Sequence, residues 1–334
     1  MWSLDNPDTA RGRAYARVVI DEAAAVPHLA TAWEAVLQPT LIDYSGDAWF
    51  LSTPRGHNYF YTLWQRGMSG EPEWFSWRMP TATNPHIPAE EIARAERTLP
   101  ARVFAQEYRA EFIADATGVF RRVVPAATAA AQERALPGHR YVMGVDWGKH
   151  EDFTVICVLD LGAPPGGPLP DRFAAARAVP PGAMPPSAAP VPTLVAIDRF
   201  NQIDYAVQAG RLRALAARFT PVAIVAERNA MGEPVIEQLL REGLPVIPFT
   251  VTNATKMVLI DRLALGFEQD QLRILPDPIL IAELEAYTTE RTPSGLLRYG
   301  APPGMHDDCV MALALAYWGA TGAAGAGTAP SLYP

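Results

Sequence analysis

Lysine is almost absent from this chain: only Lys149 and Lys256 occur among 28 basic residues. With so much Ala, Pro and Arg present, that arginine bias reads as genome composition rather than function. The formal net charge is −8. This argues against a protein that coats nucleic acid with its whole surface, because such binding is driven by phosphate neutralisation; any DNA contact must be local. Cysteine is also scarce. Cys157 and Cys309 fall in a strand-like run and at a helix start, so no disulfide framework is indicated. No apolar run reaches the roughly eighteen residues that would read as a membrane span. The N-terminus, Met1-Trp2-Ser3-Leu4-Asp5, has neither a basic region nor an apolar stretch. These absences predict a cytoplasmic protein with no membrane partner. No G-x-x-x-x-G-K-[ST] phosphate loop occurs; the nearest approach, Gly144 to Lys149, is one residue short and lacks the hydroxyl.

What is present is ample for a core: 334 residues, 49% hydrophobic and 19% charged, long enough to expect two domains. Residues 14–22 form a β-branched run ending in Asp21-Glu22, which predicts a buried parallel strand delivering acids at its C-terminal edge. A second run, Ala48 to Leu51, ends in Ser52-Thr53-Pro54-Arg55-Gly56, with a helical segment over 31–37 between them. Amphipathic helices are expected over 89–97 and 101–111, separated by Pro100. The first domain is placed at 1–115 and a linker at 116–139.

A new pattern begins near Tyr141. Two strands, 141–146 and 153–160, flank a short acidic turn. Residues 163–192 hold ten prolines and read as an exposed insertion. Strands are then expected at 193–197, 222–227, 245–249 and 272–275. Helices are expected over 202–218, 233–242 and 256–268. A hairpin-like pair near 286–299 and an apolar helix from His306 to Trp318 follow. This alternation predicts an α/β layer fold over 140–322, with a flexible tail at 323–334.

Three acidic positions stand out: Asp146 ending the first of these strands, Glu227 ending the fourth, and the Asp307-Asp308 pair opening the last helix. Groups at the carboxyl ends of neighbouring strands gather in one crevice, and a helix across that edge adds a further ligand. Hard divalent cations take carboxylate oxygens, and two ions about 4 Å apart can activate water and stabilise the leaving oxygen of a phosphodiester. Taken singly, each acid has a plain alternative as a solvated turn residue or a helix cap. The apolar strand before Glu227 and the apolar helix after Asp308 favour the joint reading, because both elements belong in the core with their acids at its rim. Asp152 is an auxiliary candidate. Asp307 and Asp308 compete for the same role, and His306 reads as a structural residue of the helix cap, with orientation of a ligand or a phosphate as the alternative.

In the first domain, Val18-Val19-Ile20-Asp21-Glu22 fits the second nucleotide motif of P-loop ATPases, where the Asp holds Mg²⁺ through water and the Glu polarises the attacking water. Ser52-Thr53, after the next strand, stand where such ATPases sense the γ-phosphate. Without a phosphate loop the sequence argues against ATP binding by this chain alone.

The order of these motifs resembles the large terminase subunit of tailed bacteriophages. It runs from Asn6-Pro7-Asp8 with Arg11-Gly12, through Asp21-Glu22 and Ser52-Thr53-Pro54-Arg55-Gly56, to Gln106-Glu107-Tyr108 with Glu111-Phe112. It continues with Gly144-Val145-Asp146, Glu227 and His306-Asp307-Asp308. The likeness spans about residues 5–320. It implies a partial P-loop ATPase sheet of ASCE type followed by an RNase H-like nuclease domain, in a motor that packages double-stranded DNA with a portal protein and a small terminase subunit. Carried over by position, Asp21 and Glu22 would be the ATPase acids and Ser52-Thr53 the coupling motif. Asp146, Glu227 and Asp308 or Asp307 would be the nuclease ligands for two Mg²⁺ or Mn²⁺ ions. The N-terminal part of that ATPase is lacking. Two other readings use the same residues: an RNase H-like resolvase or transposase, and a non-catalytic assembly module that docks on portal or small terminase.

Overall fold

The computed structural model describes residues 3–4, 6–113, 118–148, 152–164, 190–228, 233–291, 297–302 and 304–323. Most of the Pro-rich segment and residues 324–334 of the expected tail lie outside them. The chain divides into two compact units, Met1–Thr117 with Thr288–Arg298, and Gly118–Tyr287 with Tyr299–Pro334.

In the first unit β1 (Arg17–Ile20) pairs in parallel with β2 (Asp47–Phe50), Ile20 opposite Phe50. The connection runs through a turn of helix, α1 (Leu29–Thr31), which continues as tighter and looser helical turns to Tyr44. Trp33, Val36, Leu37 and Leu41 from this stretch pack with Ile20 and Leu63, and Trp33 meets Phe50 edge-on at 4.9 Å. Three helices follow: α2 (Tyr59–Met68), capped by the Asn58 side chain on Tyr61 N–H, α3 (Ala89–Thr98) and α4 (Ala101–Glu107). The helix α2 has no counterpart in the sequence reading, although Asn58 is a good N-cap. The reading of β1 as a buried strand needs correction. Val19 is 56% exposed and Trp49 41% exposed, because among the described residues this sheet has two strands and one covered face.

The second unit opens with α5 (Val123–Ala126) and a five-stranded mixed sheet of order β5-β4-β3-β6-β7. Its strands are β3 (Tyr141–Asp146), β4 (Thr154–Asp160), β5 (Thr193–Phe200), β6 (Ala223–Glu227) and β7 (Val246–Phe249). The β3-β4-β5 half is antiparallel, while β6 and β7 run parallel to β3. Helices α6 (Tyr205–Phe219) and α7 (Glu233–Arg241) join β5 to β6 and β6 to β7; α8 (Asn253–Glu268) and α9 (Pro278–Ala286) follow β7. α10 (Asp308–Ala323) comes last; before it in the chain, β8 (Thr288–Arg291) of the first unit pairs with β9 (Leu297–Gly300) in a separate two-stranded sheet.

One face of the five-stranded sheet, with Met143, Val145, Ile156, Val158 and Ile224, is closed by Leu212, Leu215 and Phe219 of α6 and by Ile236 and Leu239 of α7. The other face carries α10. Residues 308–320 of α10 are buried on every side, which explains why its sequence shows no polar stripe. Its approach is close. A Cβ on Gly144 would lie 2.1 Å from the Ala312 carbonyl oxygen and 2.3 Å from the Ala316 nitrogen, and one on Gly319 would lie 2.6 Å from Val225.

Residues 118–139, expected as a linker, pack inside this unit. Val119 and Phe120 are buried, Val119 N–H donates to Tyr287 O at 3.0 Å, and Gln132 N–H donates to Val195 O at 2.9 Å. The apolar Val119-Phe120 and Val123 give this segment surface that a free linker would leave wet. The expected strand 272–275 is reduced to one bridge, Arg273 beside Thr193.

Candidate metal centre

The strand register brings the first two acids together. Val145 stands opposite Ala226 in the parallel β3-β6 pair, so Asp146 and Glu227, one residue on, end neighbouring strands about 4.8 Å apart. Their carboxyls make a hydrogen-bonding contact. The third acid, Asp308, opens α10, and Gly144 sets the distance at which that helix crosses β3. Asp146 and Asp308 are only 8% and 7% exposed. Burial first, then the contact with Glu227 and the charges of Glu227, Asp308 and Asp307, push the Asp146 carboxyl well above the usual carboxylate range. Burial also raises Asp308, opposed by the Phe153 N–H that donates to its Oδ2 at 3.1 Å.

A second group gathers around Asp308. One ligand atom each from Asp152, His306 and Asp308 lies within 4.8 Å of the others, with His306 Nδ1 3.5 Å from Asp308 Oδ2. The turn that carries Asp152 is clasped from beneath. Thr154 Oγ1 accepts the Gly148 N–H at 2.9 Å, and Gln208 Nε2 donates to the Gly148 carbonyl at 3.1 Å, both inside the core. A Cβ on Gly148 would meet the Asp152 carbonyl oxygen at 2.4 Å, so the turn closes only on glycine.

Asp307 points elsewhere. Its Oδ2 accepts from Lys256 Nζ of α8 at 2.8 Å, and that ammonium lies 5.8 Å from the Tyr287 ring centroid. The pair separates the two adjacent aspartates, one held by a cation and one facing the carboxylate cluster. Carboxylates crowded in this way form an excess of negative charge in an oxygen-rich donor set with one imidazole nitrogen. Such a set fits hard divalent cations.

In the first unit Asp21 and Glu22 follow β1 and are exposed, and Glu22 sits in the left-handed region with φ 51°. Ser52 follows β2, and its Oγ accepts the Ala24 N–H at 3.1 Å. The structure thus brings Asp21, Glu22, Ser52 and Thr53 to one end of the two-stranded sheet. Among the exposed arginines, Arg122 is paired with Asp270 and Arg228 with Glu233.

Comparison with known proteins accounts for both units. Residues 191–318 match the family described as "Terminase RNaseH-like domain" and residues 3–123 match "Terminase large subunit, T4likevirus-type, N-terminal". The terminase large subunit of Thermus virus P23-45 is 31% identical over 340 residues, covering 94% of this chain, and that of Thermus phage G20c is 30% identical with the same coverage. The chain belongs to the terminase large subunit family. It spans 64% of the length of these two relatives. A solved large terminase from another thermophilic bacteriophage, 13% identical, superposes over 94% of this chain and 71% of its own with a TM-score of 0.53, which speaks for the fold alone. The fold class is accordingly α/β, an ATPase-type portion followed by an RNase H-like nuclease domain.

Several residues around this terminase site escape a reading of the sequence. Lys256 carries a signal, being one of two lysines, but its pairing with Asp307, 51 residues away, is visible only in the fold. His306 reads in sequence first as a cap residue, and the fold sets it beside Asp308 and Asp152, where its alternative role of orienting a ligand becomes open to it. Glu283, on α9, accepts the Cys309 N–H at 2.8 Å. Its signal is an acid on the apolar face formed with Leu280 and Leu284.

Proposed function

We propose that this terminase chain is a metal-dependent endonuclease that cuts concatemeric double-stranded DNA for packaging. The observation that carries the reading is the meeting of Asp146, Glu227 and Asp308, from two parallel strand ends and one helix start, with two of the three buried. In this reading Asp146 and Glu227 hold one side of the site, and Asp308 with Asp152 and His306 the other. Two Mg²⁺ or Mn²⁺ ions there would neutralise the carboxylates and supply an activated water and charge stabilisation for the leaving oxygen. The chain's own part is to fix these oxygens in place: the Gly148 clasp holds the Asp152 turn, the Phe153 N–H orients Asp308, and Lys256 occupies Asp307. The last contact favours Asp308 over Asp307 as the ligand.

The domain assignment follows. Residues 1–115 correspond to the C-terminal part of the terminase ATPase domain, with Asp21, Glu22, Ser52 and Thr53 as its nucleotide-motif residues, and 140–322 to the nuclease. Without a phosphate loop in this sequence, ATP hydrolysis by this chain alone is not expected. Double-stranded DNA, a portal protein and a small terminase subunit are the proposed partners, met in the host cytoplasm; among the described residues no helix is long and apolar enough to cross a membrane. The test is plasmid cleavage by the purified chain with Mg²⁺ or Mn²⁺, with EDTA, and by Asp146→Ala, Glu227→Ala and Asp308→Ala. Cleavage lost in EDTA and in all three variants is expected. A folded wild-type chain that cuts nothing would favour the assembly-module reading.

A further inference from the structure

Glu283 does more at this site than hold the start of α10 through Cys309. It lies on α9, 5% exposed, and its Oε2 accepts the N–H of Cys309, the residue after Asp308. The other oxygen, Oε1, is buried with no hydrogen-bond partner among the described residues. The cation facing it is Arg199 of β5, whose Nε is 3.9 Å away, too far for a hydrogen bond, and is likewise buried without a partner. Arg199 in turn lies over the Phe153 ring, 3.3 Å from its centroid, and Phe153 is the residue whose N–H binds Asp308. Glu283 and Arg199 therefore flank Asp308 along two separate routes, one through the start of α10 and one through the start of β4.

Capping a helix N-terminus does not need a charge, since a neutral oxygen accepts the same N–H. Burying a carboxylate with one oxygen unsatisfied is costly. The charge has an effect that a neutral cap lacks: in the poorly screened interior, an anion behind Asp308 strengthens the attraction of that carboxylate site for a dication, and a cation behind it weakens the attraction. We propose that Glu283 is a positioning residue that sets how tightly Asp308 holds a divalent cation, with Arg199 as its counterweight. The inference rests on the nuclease reading and deepens it. Outer partners of metal-ligating groups act in this way, by orienting the ligand and tuning its basicity.

The experiment compares the full chain with Glu283→Gln, Glu283→Ala and Arg199→Gln in three measurements: Mn²⁺ binding by calorimetry, thermal unfolding in EDTA, and plasmid cleavage across a Mn²⁺ series. Glu283→Gln keeps the acceptor for Cys309 and removes the charge. Its expected behaviour is a melting temperature in EDTA no lower than wild type, Mn²⁺ binding weakened by about tenfold, and cleavage lost at low Mn²⁺ but recovered at high Mn²⁺. Arg199→Gln is expected to bind Mn²⁺ more tightly, a change of opposite sign that helix capping does not produce. If wild type binds Mn²⁺ and Glu283→Gln binds it equally well, Glu283 is only a cap and the proposal is overturned, whatever Glu283→Ala does to folding. A wild-type chain that binds no Mn²⁺ in an Asp146-dependent way overturns the nuclease reading and this inference together.

Discussion

Replacing Gly144 by alanine tests whether the site depends on how closely α10 lies on the sheet. The added methyl would be centred 2.1 Å from the Ala312 carbonyl oxygen, 2.3 Å from the Ala316 nitrogen and 2.9 Å from the Ala316 Cα. All three are backbone atoms of a helix buried on every side, so no side chain can rotate away. The helix must move off β3 by on the order of 1 Å to restore contact distances near 3.5 Å. Overpacking of this kind costs roughly 1–3 kcal/mol, with the upper end expected where backbone has to shift. For a domain of this size about 3 kcal/mol lowers the melting temperature by roughly 6–12 °C. The displacement also carries Asp308 away from Asp146, two residues from the substitution, so cleavage should fall by more than the loss of folded protein explains. A Gly210→Ala control adds a methyl on α6 with nothing within 4 Å, and should stabilise by about 0.5–1 kcal/mol. Calorimetric scans and plasmid cleavage read both effects. A Gly144→Ala protein that melts and cuts like wild type would refute the reasoning.

In EDTA, Asp146 and Asp308 both have raised folded-state carboxyl affinities for protons. Their contribution to stability is therefore full below the ordinary carboxylate range near pH 4 and is lost as pH rises through the folded values. Melting temperature in EDTA should fall as pH rises above the ordinary carboxylate range; Mn²⁺ or Asp146→Asn should flatten that fall, and a flat wild-type curve in EDTA would contradict the crowding described. Lys256→Met leaves Asp307 unpaired beside the cluster and should destabilise by about 2 kcal/mol. Adding Asp307→Asn should return most of that loss, and thermal scans of the single and double variants measure the coupling. Gln208→Leu strips the Gly148 carbonyl of a buried donor and should lower cleavage more than DNA binding, as judged by gel shift alongside the rate.

The parts of the fold whose signals are local are legible in the sequence. Short apolar runs locate β3, β4, β6 and β7 to within two residues, and the acid that ends an apolar strand marks Asp146 and Glu227 because parallel pairing sends strand ends to one edge. Asp277-Pro278 is a strong helix start, with the aspartate accepting the Ile279 and Leu280 N–H groups, yet α9 escapes the sequence reading because its nine residues are few and set no clear polar stripe against an apolar one. With α9 goes Glu283. Pairings such as Lys256 with Asp307 and Arg199 with Glu283 join residues 51 and 84 positions apart through packing alone. The burial of β1 is overestimated from sequence for a related reason: a β-branched run shows that a strand has an apolar face, not how many neighbours cover it.

The dependence on α10 has a consequence during synthesis. A nascent chain emerging from the ribosome can form β3 to β7 with Asp146 and Glu227 already side by side, but Asp308 arrives only with the helix that closes the far face of the sheet. Until that helix docks, the carboxylate cluster lacks its third wall and the sheet its cover, so burial of the core and completion of the cluster are acquired in the same step.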